Sequence, residues 1–120
     1  MSYDVSISVK AEGIDYYIEL CDLGNITWNA RDLILYSSGW DINNEAPNGA
    51  VRPWIEKIER GIQELSEHPE KYKKYESPNG WGTIRGTLKF YNGCLINAQH
   101  WLSNTQFDKE LQSIAVIYVD

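Results

Sequence analysis

At 120 residues, with 42% apolar and 23% charged residues, the chain has the size and composition of a single compact domain spanning residues 1–120. Such a domain can bury a core without metal or disulfide support. Its net charge of −6 arises in residues 1–50, where eight acidic groups face two basic ones, while residues 51–120 hold nine of each. That field disfavours direct nucleic-acid binding and favours a partner with a basic surface, although it also serves solubility.

Tyr3 to Lys10 alternates apolar Tyr3, Val5, Ile7 and Val9 with polar Asp4, Ser6, Ser8 and Lys10, which predicts a strand. Ala11-Glu12-Gly13 supplies a turn, and residues 14–20 give a second strand, so the two form a hairpin with one wet face. Asp4, Asp15 and Glu19 are expected on that face as an acidic surface, in a register that a one-residue slip would invert. Asp22-Leu23-Gly24-Asn25 breaks the pattern. Thr27 or Asn25 then caps a helix from about Trp28 to Ser38, stopped by Gly39, with Ala30, Leu33, Ile34 and Ser37 on one face.

Residues 41–50 read as a surface loop. Val51, Trp54, Ile55, Ile58, Ile62 and Leu65 recur at three- and four-residue steps behind Pro53, predicting the next helix. Gly61 in its interior points to close approach of another element. Pro69 interrupts, and Glu70 to Tyr75 adds one more turn. Ile84, Leu88, Tyr91, Leu95, Ala98 and Leu102 mark a third helix, residues 103–108 a loop, and Leu111 to Val119 a final strand. The expected fold is α+β: a small antiparallel sheet of about three strands, packed on one face by about three helices. The final strand should pair with the first, because a lone hairpin is only marginally stable.

Catalytic machinery is not expected. His68 lies at a helix end and His100 inside a helix, and both read as structural. No clustered His or Cys pattern calls for a metal, and no phosphate loop, dinucleotide fingerprint or nucleophile elbow implies a cofactor. Cys21 and Cys94 form no CxxC pair and read as reduced thiols, Cys94 buried. With no leader-like start and no long apolar run, a reducing cytoplasm without membrane contact is expected. Lys71-Tyr72-Lys73-Lys74-Tyr75 is a basic-aromatic patch, read as a solvated turn with a tyrosine docked on the core.

Two stretches set an indole among small polar groups: Asn25-Ile26-Thr27-Trp28-Asn29 and Ser77-Pro78-Asn79-Gly80-Trp81-Gly82-Thr83. In one reading Trp28 and Trp81 plug the sheet–helix interface while Asn25, Asn29 and Asn79 satisfy loop backbone groups. In the other, Asn25, Trp28, Asn29, Arg31, Asn79, Trp81, Thr83 and Arg85 line a shallow site for a partner or a nucleotide-like ligand.

These two stretches, with Ile58-Glu59-Arg60-Gly61 and Pro69-Glu70-Lys71-Tyr72-Lys73-Lys74-Tyr75, resemble a largely uncharacterised group of small proteins. The group is found in phages, prophages and mobile elements of Gram-positive bacteria. The resemblance implies no catalytic residues. It implies a small acidic phage protein that acts by binding, for example as an inhibitor of a defence system such as a CRISPR nuclease. A nucleotide-sequestering protein is the alternative, a small enzyme a distant third, and a homodimer stays open.

Overall fold

The computed structural model describes residues 1–43 and 49–120. Strand β1 (Ser2–Val9) lies at the centre of a three-stranded sheet, between β2 (Ile18–Thr27) and β3 (Val116–Val119), antiparallel to both. The last strand therefore pairs with the first, as expected, and the fold is α+β. Tyr3, Val5 and Ile7 are buried, with Ile117 beside them on β3. Helices cover that face: α1 (Arg31–Ser38), α2 (Val51–Glu67), α3 (Pro69–Tyr72), α4 (Ile84–Asn104) and α5 (Lys109–Ile114), with 3-10 turns at Trp28–Ala30 and Lys73–Tyr75.

Local chemistry explains the boundaries. Thr27 accepts a hydrogen bond from the backbone N–H of Asn29, and Gly39 ends α1 in a left-handed conformation. Ala30, Leu33, Ile34 and Ser37 are all buried on one face of this segment. Trp54, Ile58, Gly61 and Leu65 form the buried stripe of α2. Tyr72 docks in the core, while Lys71 reaches Glu64 at 3.5 Å.

Three expectations are corrected. The second strand does not span residues 14–20; it begins at Ile18 and runs through Asp22-Leu23-Gly24-Asn25, the stretch read as a break. Two register shifts cause this, leaving Leu23 and Leu20 as extra residues in the ladder. The final strand does not span residues 111–119. Asp108 accepts from the Leu111 N–H at 2.9 Å and starts α5, whose Lys109, Glu110, Leu111 and Gln112 are good helix formers, and only Val116–Val119 is extended. The helix α4 runs through Asn104 into the stretch expected as a loop; with the expected turn after Pro69 as α3 and the short α5, the described residues form five helices. Of the loop expected over residues 41–50, residues 44–48 lie outside the described residues.

Gly61 does mark a close approach. A Cβ there would stand 2.5 Å from the ring of Tyr91, which is fully buried with its hydroxyl 2.8 Å from that of Ser37. Burial pushes the Tyr91 phenol up to about 12. The folded state thus holds this proton more tightly than the unfolded chain. The associated stability is complete below the ordinary tyrosine value near 10 and is lost as the pH rises towards 12. The loss should be on the order of 2–3 kcal/mol. Denaturant melts between pH 9 and 12 should show a flatter alkaline decline in Tyr91→Phe than in the wild type. Identical declines would refute this assignment.

Candidate functional site

The open face of the sheet carries an acidic groove. Along β1, Asp4, Ser6 and Ser8 point to this face at two-residue steps, and across the ladder they meet Asn25, Asp22 and Glu19 at three-residue steps. In a regular strand, residues three apart face opposite ways. The two bulges add one residue each and bring Glu19, Asp22 and Asn25 to the same side. Gly24, at φ +139°, takes the backbone through the first bulge, and its N–H donates to the Asp22 carboxylate at 3.1 Å.

On the other side of β1, Ser6 faces Tyr118, and Asp4 exchanges backbone bonds of 2.9 and 3.0 Å with Asp120. Small serines on the central strand make the floor: Ser6 is 6% and Ser8 1% exposed, their hydroxyls 2.7 Å apart. Glu19 and Asp22 stand on one side and Asp120 on the other, and the Tyr17 and Tyr118 side chains meet over the central strand, bounding about 350 Å³. The Tyr17 and Tyr118 rings lie 4.8 Å apart.

No basic side chain lines this groove among the described residues. The ion pairs among those residues, Arg31–Asp41 and Lys71–Glu64, lie elsewhere, so the carboxylates of Asp4, Glu19, Asp22 and Asp120 face solvent without a partner cation. Burial, and after it the charges of Asp22 and Glu19, raises the thiol of neighbouring Cys21 above its ordinary range, which keeps it protonated and unreactive. Of the expected acidic surface, Asp4 and Glu19 belong to the groove. Asp15 does not; it is exposed in the β1–β2 connection. Asp22 and Asp120 complete the groove instead. Asp22 was hidden because its neighbours resemble a turn.

The two tryptophan stretches meet at a second concavity. Gly82, at φ +74°, sits so close to Asn29 that a Cβ would stand 2.5 Å from its carbonyl carbon and oxygen. The Asn79 side-chain oxygen accepts from the Trp81 N–H at 2.9 Å and from the Ser77 hydroxyl at 2.7 Å, closing the turn. Thr83 caps α4 through the Gly86 N–H at 3.0 Å. Asn25, Thr27, Asn29, Asn79 and Trp81 consequently line one cleft of about 520 Å³, together with Met1 and Ser2.

The reading of Trp28 and Trp81 as core plugs is corrected: they are 48% and 65% exposed. Trp40 and Trp54, edge to face at 5.5 Å, fill the interior with Phe90 and Tyr91. Trp28 instead leans on Tyr3, ring centroids 6.0 Å apart. Neither expected arginine joins the Trp81 cleft. Arg31 pairs with Asp41 at 3.8 Å and lines an adjoining hollow with Trp28, and Arg85 is exposed on α4. Replacing Trp81 by Ala should therefore change stability by only about 0.5 kcal/mol, against 3–5 kcal/mol for a buried indole. A urea melt distinguishes the two, and a loss in the larger range would overturn the surface assignment.

Among the described residues no group of three or more His, Cys, Asp or Glu side chains is arranged to hold a metal ion, and no helix is long and apolar enough to cross a membrane. His68 ends α2, and His100 is exposed on α4. Comparison with known proteins returns no matching family model and no significant match to a curated protein or a solved structure.

Proposed function

We propose that this chain is a non-enzymatic binding protein that holds a partner with a basic surface against the open, acidic face of its sheet. One observation carries the reading: four carboxylates surround a floor of buried serines with no cation opposite them among the described residues. Such an arrangement repels itself in the free protein and is relieved by an arriving cationic surface. Tyr17 and Tyr118 add apolar area beside the charges, where a lysine or arginine stem can lie. The negative field also argues against direct nucleic-acid binding.

The resemblance of the motifs extends the proposal to a setting. The chain acts in the cytoplasm of a Gram-positive host, as a phage or mobile-element product that blocks a component of host defence such as a CRISPR nuclease. The experiment compares capture from host lysate by the wild type and by the Asp4→Lys/Glu19→Lys variant, with mass spectrometry of the bound proteins. A basic-surfaced defence protein retained by the wild type and lost by the variant supports the proposal. Equal retention by both, or no specific retention by either, overturns it.

A further inference from the structure

The Trp81 cleft is built for something other than a charged surface. We infer that it binds a nucleoside through its base, stacked on Trp81 and recognised at a carbonyl-bearing edge. The volume of about 520 Å³ lies in the range of small-molecule sites, and no acidic or basic side chain lines it among the described residues. Two left-handed glycines and the Asn79 turn fix the backbone at Trp81, whose indole is 65% exposed. It adds little to the fold, yet it offers a flat π-face to the cleft. Nucleobases stack on such faces whatever their sequence.

The polar groups around it define the edge to be read. Asn79 commits its side-chain oxygen to the Trp81 N–H and the Ser77 hydroxyl, so its amide NH₂ remains to donate. The Thr27 oxygen accepts from both the backbone N–H and the side-chain amide of Asn29, at 3.4 and 3.1 Å, which leaves its own hydroxyl proton to donate. Two anchored donors suit acceptor-rich edges such as O6 and N7 of guanine or the carbonyls of uracil. They suit the adenine edge, with its N6 donor, less well. Asn25 lines the same cleft and can supply either a donor or an acceptor.

No cationic side chain lines the cleft among the described residues, although Met1, which carries the α-amino group, does. Arg31 is paired to Asp41 and Arg85 stands outside the cleft, so neither is placed to grip a phosphate there. Base and sugar should therefore account for binding, and a phosphate should add little.

Isothermal titration of the full chain with guanosine, uridine, adenosine, guanosine monophosphate, ribose and pyrophosphate tests this. Guanosine and uridine should bind saturably and more tightly than adenosine, and the monophosphate should match guanosine within a few-fold. Trp81→Ala should weaken binding by about 10-fold or more while shifting the melting temperature by no more than about 3 °C, and Trp81→Phe should recover part of the loss. The inference fails if no nucleoside binds at about 1 mM. It fails equally if Trp81→Ala binds as the wild type does, or if pyrophosphate or ribose alone accounts for the affinity. The cleft adjoins the acidic groove, since Asn25 pairs with Asp4 across the ladder, but the two share no lining residue, so nucleoside binding and capture of a basic partner are read separately.

Discussion

Replacing Gly82 by Ala should destabilise the domain by about 2–5 kcal/mol, far more than the loss of one hydrogen atom suggests. Two effects add. At φ +74° a side chain is disfavoured by roughly 1–2 kcal/mol. The new methyl would also stand 2.5 Å from the carbonyl of Asn29 and 2.9 Å from the N–H of Ala30, atoms of the backbone that cannot swing aside. Overpacking of this kind costs about 1–3 kcal/mol. Gly80 separates the two contributions: it has φ +81° but nothing within 4 Å of a Cβ. Gly80→Ala should show only the conformational part, on the order of 1 kcal/mol. Urea melts of both variants check the contrast. Equal losses would mean that the two tryptophan stretches are not locked together through Gly82.

Reversing charge in the groove should act on rates rather than on the fold. The Asp4→Lys/Glu19→Lys pair spares Asp22, whose carboxylate anchors the bulge through Gly24. It brings the four-carboxylate groove to formal neutrality. With a basic partner, association at low salt should slow by about 10- to 1,000-fold, and dissociation should change much less. Near 1 M salt, where screening acts within about 3 Å, the two association rates should converge. Stability should stay within about 0.5 kcal/mol, since both residues are exposed. Stopped-flow mixing across a salt series provides the readout. A variant that associates as fast as the wild type at low salt would remove the groove from recognition.

Much of the fold was legible wherever one periodicity ran unbroken. The alternation from Tyr3 to Val9 marked β1, the Trp54–Ile58–Leu65 stripe marked α2, and Gly39 marked the end of α1. Legibility failed where the backbone changes step. In β2, bulges at Leu23 and Leu20 turn a two-residue repeat into a three-residue one, so that Asp22 and Gly24 resemble a turn and Asp15 looks like a groove residue. In residues 109–114 the cap at Asp108 and the helix formers Lys109, Glu110, Leu111 and Gln112 make a helix, and the β-branched run begins only at Val116. The tryptophans show a third limit. Composition cannot tell an indole buried at Trp40 from one exposed at Trp81, because only tertiary packing decides which aromatic fills the interior. The sequence did single out both stretches that form the Trp81 cleft, through their turn glycines and asparagines.

The central claim is that the open face of the sheet is a docking surface for basic groups. It is tested most directly by titrating the ¹⁵N-labelled protein with a short lysine-rich peptide and following amide shifts residue by residue. The expected result is salt-sensitive, saturable change confined to Asp4, Ser6, Ser8, Tyr17 to Asp22 and Tyr118 to Asp120, and abolished in Asp4→Lys/Glu19→Lys. Shifts scattered over all acidic residues, or gathered at Asp32, Glu56 and Glu110 with the groove silent, would contradict it.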